Sequence, residues 1–441
     1  MNYVGTARPI HDAKGKATGY TKYAGDLSLP NMAYLCMLHS KIPHGYVKAV
    51  HAEKALALPG VYGVYHCLNT SDRKYNRYRS NFDQSYLPNE ECAFNDYVRF
   101  VGDKIGVVAA CDQETAERAA RLVEIEYEEL PFSIGFDDTL AGKNCLEGET
   151  PVRDEYSLEV GKKQESTEGL IEVCSTMELP RLHHATMETH ACIADYDPYS
   201  DMLTVYCPNQ AVHGIRTVLA DFLEMPESHV RVVKATMGGS FGAKQEWFLE
   251  PVTALVAKKL CRPVKLVYSR GEAMTDTIVR GAMRMSARGY YTPDGEMKEI
   301  YCDVTLDAGA YIGNAGDYVR ALAGKPTRCY RIPYMHYHGQ VISSNSPVSG
   351  AFRSWSAAEE ALMMERQLDA AAEKLAGQIA GNAPIAVRAS KQAINDGLQV
   401  DIDRAVVIEE KAFGSCFQSA DQQEGMGAFL EKRKHEPFIN K

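Results

Sequence analysis

The residues best suited to chemistry form the glycine-rich run MGGSFGAK at residues 237–244, between a predicted strand and a predicted helix. Glycines let backbone N–H groups approach an anion closely, and the N-terminus of a following helix adds partial positive charge. The run therefore favours a phosphate or an oxo-anion cofactor. It has neither the Walker A spacing nor the G-x-G-x-x-G dinucleotide pattern. A short glycine run at such a place is also typical of a plain tight turn.

The elements that would position this run alternate between strands and helices. Apolar runs and helical periodicity predict strands at Met32–Leu38, Gly60–Cys67, Lys104–Cys111, Glu124–Tyr127, Leu203–Cys207, Val230–Ala235 and Val264–Ser269, helices at 113–123, Ala211–Leu223 and Gln245–Leu260, and a hairpin of Met283–Tyr291 with Met297–Thr305. This alternation is typical of an α+β or an α/β fold, and α+β is the class that we predict for the chain. Beyond about residue 355 the pattern is helical, with no further strand.

Composition excludes several kinds of protein. The formal net charge of −10 argues against a nucleic-acid partner. A loop with the sequence DRKYNRYR at 72–79 mixes basic residues with tyrosines, but we interpret it as solvated. No apolar run is long enough for a membrane span, and the first residues lack the order of a secretion signal, so we expect a soluble, cytoplasmic protein.

The twelve cysteines are widely spread and include no C-x-x-C pair. Zinc sites and iron–sulfur clusters usually leave tight cysteine pairs, so we expect this chain to carry neither. Residues 132–165 are polar and rich in turns, which predicts a domain boundary there.

Residues over about 4–362 resemble the molybdenum-binding subunits of the xanthine dehydrogenase and aldehyde oxidase family. The resemblance rests on motifs in the family's order, which are Val4-Gly5, Pro43-His44-Gly45, Pro59-Gly60-Val61, Val101-Gly102, Met187-Glu188, Asn209-Gln210, Gly238 to Gly242, Arg262-Pro263-Val264-Lys265, Asp307 to Tyr311 and Gly350-Ala351-Phe352-Arg353. It implies an a/b hammerhead domain at 1–135, a linker at 136–165 and a first molybdopterin-binding domain at 166–362.

The resemblance also implies a cofactor, molybdenum held by the dithiolene of molybdopterin, often with a cytidine nucleotide attached. Such a metal needs no protein ligand. The residues expected to bind this cofactor are Gln210, Gly238, Gly239, Ser240, Phe241, Gly242, Phe352 and Arg353. An amide N–H of Gln210 would donate to an oxo group of the metal. Two purely structural interpretations stay open: Gln210 could cap the helix that begins at Ala211, and Arg353 could be a surface cation.

The sequence differs from the family pattern at three positions and lacks one motif. Ser240 stands where many relatives have glycine, and Ser354-Trp355-Ser356 where many have glycine, an aromatic residue and glycine. Gln245 or Glu246 falls where some purine-oxidising relatives carry a substrate-binding glutamate. The family's general-base glutamate, in a Gly-x-Gly-Glu context, does not occur here. We therefore expect the catalytic glutamate on a partner chain that completes the site, with iron–sulfur and FAD subunits beside it and a small-molecule substrate.

Residues from about 370 to 441 resemble the C-terminal helices of enoyl-CoA hydratases, the crotonase family. In that family, residues at the positions of Phe413 and Lys432 would touch CoA, whereas the catalytic glutamates lie upstream of this segment. The chain is therefore predicted to be a join of two pieces, with an all-helical appendage at 363–441.

Two functions follow from this join. The first is a molybdenum hydroxylase subunit or fragment that, completed by partners, hydroxylates an N-heterocycle or an aldehyde with oxygen from water. The alternative is a catalytically inactive chimera, or a CoA-binding or oligomerising module.

Overall fold

The computed structural model describes residues 4–78, 88–143, 146 and 150–441, with the side chain of residue 378 excepted. Strands and helices are mixed along the chain, which confirms the predicted α+β class. The described strands are β1 (Ala33–His39), β2 (Gly45–His51), β3 (Val61–His66), β4 (Lys74–Tyr75), β5 (Glu91–Cys92), β6 (Tyr97–Val98), β7 (Lys104–Ala110), β8 (Glu124–Glu129), β9 (Val152–Gly161), β10 (Ile171–Leu179), β11 (Ala191–Asp197), β12 (Met202–Cys207), β13 (Val230–Lys234), β14 (Val264–Val267), β15 (Ala282–Tyr291), β16 (Met297–Asp307) and β17 (Tyr334–Ile342).

The helices follow the same chain order. They are α1 (Ala13–Ala17), α2 (Glu53–Leu56), α3 (Gln113–Ala120), α4 (Phe136–Leu140), α5 (Val212–Phe222), α6 (Glu250–Leu260), α7 (Arg270–Asp276), α8 (Ala315–Ala323), α9 (Pro326–Cys329), α10 (Ala357–Ala380), α11 (Pro384–Gly397), α12 (Ile402–Cys416) and α13 (Ala420–Leu430). Among the described residues, none of these helices combines the length and the apolar composition that a bilayer crossing requires.

Two sheets carry most of the structure. A seven-stranded sheet has the order β13-β12-β11-β14-β1-β7-β3, and a five-stranded sheet has the order β10-β15-β16-β17-β9. In the first sheet β1 pairs parallel with β14, so that Ala33 lies opposite Val264, and antiparallel with β7. The larger core packs α5 and α6 against this sheet, and the second core packs α8 and α10 against the five-stranded sheet.

The segment predicted as a linker, 136–165, contains α4 and the ten-residue strand β9. Strand β9 forms the edge of the five-stranded sheet and pairs antiparallel with β17. Its residues alternate between exposed and half-buried, with charged side chains on the exposed face, and this composition is why the segment has the appearance of a polar linker in the sequence. The division into domains at these boundaries stays a prediction.

The loop at 72–79 is not a solvated loop, as far as it is described. Arg77 is only 2% exposed and its guanidinium pairs with the carboxylate of Glu91, which also binds Lys104. The indole Nε1 of Trp247 donates to the backbone oxygen of Asn76, 2.8 Å away. A buried arginine needs a paired acid, and the sequence spacing gives no sign of that acid. Arg79 lies outside the described residues.

The C-terminal helices divide into two parts. The first half of α10 packs on the five-stranded sheet, where Met363 and Met364 are fully buried. The side-chain amide of Gln367 donates to the backbone oxygen of Val173 at 2.9 Å. By contrast, α11 and α12 have no buried residue. The last strand of the described residues ends at Ile342, so the region after residue 355 is helical, as predicted.

Candidate functional site

The glycine-rich run forms an irregular loop between β13 and α6. Gly239 and Gly242 have φ angles of +102° and +103°, a region that a side chain makes costly, and Phe241 has φ +54°. The helix predicted from Gln245 begins only at Glu250, with Pro251 in its first turn, where proline fits best. The helix N-terminus therefore does not directly follow the loop, and the expected contribution from its partial charge is absent at Gly242.

The loop instead offers unbonded backbone donors. Within the part of the chain that the structure describes, the N–H groups of Gly239, Ser240, Phe241 and Gly242 make no hydrogen bond. Consecutive amides in turn conformations of this kind form anion-binding concavities. Backbone N–H groups without a protein acceptor suit an anionic or oxo-bearing ligand, as the sequence predicts.

Glu188 contacts the glycine-rich loop at both of its ends. Its carboxylate Oε2 accepts from the N–H of Gly238 at 2.7 Å and from Nζ of Lys244 at 2.6 Å. Lys244 is buried, and the burial lowers its pKa. His190 adds a third support, since its Nε2 lies 2.9 Å from the backbone oxygen of Ala243. Burial lowers the pKa of His190 to about 4, so this imidazole is neutral at pH 7.

Gln210 lies beside this loop with its side chain exposed. The hydroxyl of Ser240 donates to Oε1 of Gln210, and the amide nitrogen of Gln210 makes no hydrogen bond to the described residues. The helix α5 is not capped by Gln210: Oδ1 of Asn209 accepts from the N–H of Ala211 at 2.7 Å. The capping interpretation of Gln210 is therefore wrong, and its amide is available to a ligand.

A second loop, 350–356, lies against the first. A Cβ atom on Gly242 would overlap the backbone oxygen of Ala351, so glycine is required for this approach. Phe352 stacks on His184 at 4.3 Å between ring centroids, and the guanidinium of Arg280 lies 4.2 Å above the Phe352 ring. Burial lowers the pKa of His184 to about 4, so the stacked imidazole is neutral. These contacts fix Phe352, whereas the neighbouring Arg353 is exposed.

The end of this loop has an unusual backbone. Ser354, Trp355 and Ser356 have φ angles of +84°, +45° and +65°, all in the left-handed region. At the two flanking positions, Ser354 and Ser356, the family resemblance led us to expect glycine, and a left-handed backbone is the conformation that glycine adopts most readily. Lys325 supports the turn, because its Nζ donates to the Ser356 hydroxyl at 2.7 Å and to the backbone oxygen of Trp355.

The two loops enclose a cleft of about 640 Å³. It is lined by Tyr78, Gln210, Phe241, Gly242, Gln245, Asp317, Ala351, Phe352, Arg353, Ser354 and Trp355. Five of the eight predicted cofactor residues line the cleft, namely Gln210, Phe241, Gly242, Phe352 and Arg353. The other three, Gly238, Gly239 and Ser240, belong to the glycine-rich loop but do not line the cleft. Arg353 is exposed as the surface-cation interpretation requires, but it lies in this cleft.

The residues predicted to bind substrate or CoA differ in where the structure places them. Gln245 lines the cleft, whereas Glu246 is buried behind it. In the tail, Phe413 is exposed and lines a groove on α11 and α12, and Lys432 is not among the residues of that groove. Sequence reasoning missed the roles of Lys244, Tyr78 and Asp317, because contacts across the fold, not local patterns, bring them to the site.

The arrangement fits a molybdopterin cofactor better than a metal held by side chains. No group of three or more histidine, cysteine, aspartate or glutamate side chains among the described residues could hold a metal ion. The donors present are instead four backbone N–H groups, the Gln210 amide and the Arg353 guanidinium, which suit oxo and phosphate oxygens.

Three family models match the chain. Residues 18–131 match the a/b hammerhead domain of aldehyde oxidase and xanthine dehydrogenase, and residues 150–380 match the molybdopterin cofactor-binding domain. Residues 360–438 match the enoyl-CoA hydratase/isomerase family. Both resemblances found in the sequence are thereby confirmed. The last two models overlap at α10.

Curated relatives support the same assignment. The chain is 30% identical over 381 residues to the nicotinate dehydrogenase large molybdopterin subunit of Eubacterium barkeri, an alignment that covers 86% of each chain. It is also 30% identical to the xanthine dehydrogenase molybdenum-binding subunit of Escherichia coli O157:H7, over 82% of this chain but 49% of the other. The chain therefore spans nearly all of the first relative and about half of the second.

Solved structures share the fold. The aldehyde oxidoreductase of Desulfovibrio gigas superposes with a TM-score of 0.77 at 24% identity, over 88% of this chain and 43% of that one. With the domain models and the relatives above, this agreement leads to one assignment: the chain belongs to the xanthine dehydrogenase and aldehyde oxidase family, as a molybdopterin-binding chain with a crotonase-like helical tail.

Proposed function

We propose that this chain binds molybdenum-molybdopterin in the cleft between the two loops and serves as part of a molybdenum hydroxylase. The reaction would be the hydroxylation of an N-heterocycle or an aldehyde with oxygen from water. The observation that carries the proposal is the convergence of Gln210, the glycine-rich loop and Arg353 on one cleft, from positions more than 140 residues apart in the sequence.

The roles of this chain's own residues follow from their donors. The unbonded N–H groups of residues 239–242 and the amide of Gln210 would hydrogen-bond to oxygen atoms of the bound cofactor. Arg353 would neutralise negative charge at the same end of the cleft. When bound, the cofactor supplies the oxygen-transfer and electron-transfer chemistry.

Gln245 is the residue proposed to bind substrate, since its side chain lines the cleft. An amide can donate to a ring nitrogen or accept from an N–H, which suits a heterocycle. We keep the aldehyde as the second substrate class. Glu246 is not part of the proposed substrate site, because it is 1% exposed and is not among the residues that line the cleft.

The proposed assembly extends beyond this chain. A partner chain would complete the cofactor site and supply the general-base glutamate, and iron–sulfur and FAD subunits would accept the electrons. The cytosine dinucleotide form of the cofactor and a cytoplasmic location belong to the same proposal. The relatives named large or molybdenum-binding subunits support this division of labour.

The tail supports the second candidate, an inactive chimera or a CoA-binding or oligomerising module. Apolar side chains on α11, directly after it and on α12, such as Ile394, Leu398 and Phe413, are more than half exposed. Their groove has a volume of about 1000 Å³. The match to the enoyl-CoA hydratase family covers this part of the chain.

The molybdenum content of the chain, purified with its partner chains, tests the first proposal. We expect about one molybdenum per chain, since the two loops form a single candidate cofactor cleft. Gly242→Ala should lose the metal, because the added Cβ overlaps Ala351. Gly324→Ala is the matched control, since its Cβ would meet nothing within 4 Å. Absence of molybdenum from the wild-type complex would refute the proposal.

The chain on its own tests the alternative. Because the sequence contains no Gly-x-Gly-Glu motif for the family's general base, we expect no turnover of xanthine, nicotinate or an aromatic aldehyde with an artificial electron acceptor. We also expect no hydration of crotonyl-CoA. Turnover of the CoA ester above a heat-killed control would favour the CoA-binding module and contradict the inactive chimera.

A further inference from the structure

Glu246 is a buried acid directly behind the cleft. Its side chain is 1% exposed, and its neighbour Gln245 lines the cleft. Its backbone oxygen accepts from the side-chain amide of Asn209 at 2.8 Å, next to Gln210. The carboxyl thus lies at the back of the wall that presents both cleft amides.

The carboxyl of Glu246 also contacts the two other segments that form walls of the cleft, which are the loop at 350–356 and the start of α8. Its Oε1 accepts from the N–H of Ala351 at 3.4 Å, at the start of the cleft-lining loop. The same oxygen accepts from Nδ2 of Asn314 at 3.3 Å, at the start of α8, which carries the cleft residue Asp317. A Cβ on Gly350 would overlap Oε1 of Glu246, so this loop packs directly on the carboxyl.

The second oxygen of this carboxyl is unpartnered. Oε2 of Glu246 is buried and makes no hydrogen bond to the described residues. An ionised carboxylate in such a place would be costly, so the geometry favours the neutral acid.

The charges facing Glu246 do not compensate for ionisation. Arg77 is the nearby cation, but its guanidinium is already paired with Glu91, and Glu91 itself opposes a second negative charge. Burial is the largest cause, and it raises the pKa of Glu246 to about 8. At pH 7 the group is therefore mostly neutral.

We propose that Glu246 is a positioning residue whose buried carboxyl holds the loop at Ala351 and the start of α8 at Asn314 against the segment of Gln245. It thereby sets the separation of the three walls of the cleft. Ionisation of this carboxyl would push the walls apart to admit water. The inference concerns the cleft of the proposed function, but it does not require a bound cofactor.

Fluorescence can report the position of the walls, because the chain has only two tryptophans, Trp247 and Trp355. Trp355 lies four residues after Ala351 and lines the cleft. Its emission is measured in a Trp247→Phe background, on the full chain without cofactor, from about pH 6 to about pH 10. We expect a transition with a midpoint near the pKa of Glu246, about 8.

Three variants decide the outcome. Glu246→Gln, neutral at every pH, should abolish the transition and keep the emission of the wild type at neutral pH. Glu250→Gln is the matched control, a second buried acid whose Oε2 bonds the N–H of Phe248, and it should keep the transition. Gly350→Ala should shift the emission at neutral pH toward the high-pH value, since its Cβ meets the carboxyl.

Two results would overturn the inference: a transition that persists in Glu246→Gln, or its absence in the Trp247→Phe background. If Glu246→Gln does not fold, the Gly350→Ala shift decides, and an unchanged emission in that variant refutes the role. A failure of molybdenum binding would leave these readouts unaffected, so the two proposals fail separately.

Discussion

Glu188 and Lys244 form an ion pair under the glycine-rich loop, with 2.6 Å between Oε2 and Nζ. Lys244 is 2% exposed at its side chain and Glu188 14%. Because the same oxygen also bonds the N–H of Gly238, one carboxylate fixes both ends of a loop whose middle amides stay unbonded. The open shape of the loop thus depends on a residue some fifty positions earlier in the chain.

We predict that Glu188→Ala destabilises the protein by about 3–5 kcal/mol, because it leaves Lys244 buried without its partner. Urea unfolding measures the change. The double variant Glu188→Ala/Lys244→Met removes both charges and should recover part of the loss. Equal stability of the single variant and the wild type would contradict the ion pair.

Gln210→Glu should lower turnover of the assembled enzyme by about 10²–10³-fold, the usual effect of losing one aimed donor. The substitution preserves the size of the side chain but replaces the amide N–H donors by an acceptor. The free energy of unfolding should stay unchanged, since the side chain is exposed. Wild-type turnover in this variant would remove Gln210 from the site.

Ser354→Gly should stabilise the protein by roughly 0.5–1 kcal/mol. A left-handed residue with a Cβ costs about 1–2 kcal/mol, which exceeds the entropic cost of glycine. Ser354→Ala is the control, because it removes the hydroxyl but keeps the strain. Thermal unfolding of the two variants should therefore change in opposite directions, and a stabilised alanine variant would argue against backbone strain.

Acid should destabilise the protein through His184 and His190, whose pKa values burial lowers from 6.5 to about 4. Between pH 6.5 and pH 4 these histidines are protonated in the unfolded chain but neutral in the folded one. The free energy of unfolding is therefore unaffected by them above pH 6.5 and falls as the pH drops toward 4. Each ring contributes a slope of about 1.4 kcal/mol per pH unit. In His190→Gln the slope of the free energy of unfolding against pH should fall by the contribution of one ring. An unchanged slope would contradict a lowered pKa of His190.

Limited proteolysis should cut first after Lys374, in the stretch 375–385, and not within 357–371. The first half of α10 is protected by its packing on the five-stranded sheet, whereas its last turns are exposed. The sequence alone, through the predicted join of two pieces, places the first cleavage near 363–385. Mass spectrometry of the first fragments separates the two ranges, and early cleavage near Met363 would show that α10 is not anchored.

The strands of the seven-stranded sheet and the candidate cofactor residues are predictable from different features of the sequence. Apolar runs such as Lys104–Ala110 are buried on both faces, so they are recognisable without a fold. Gln210 and Arg353 were found through family motifs. Glu188 stands within a family motif, yet its contact with Lys244 spans 56 positions and has no local signature. The burial of Glu246 and Arg77 depends in the same way on neighbours that only the fold supplies.

The parallel pairing of β1 with β14 has a consequence for biosynthesis. Strand β1 has its neighbour at residues 264–267, more than 200 positions later, while its other edge is occupied by β7. During translation the central sheet therefore keeps an open edge until β14 has left the ribosome. Pairing over so large a sequence separation is slow, so this nascent edge stays open to chaperones and to other chains while residues 111–263 are synthesised.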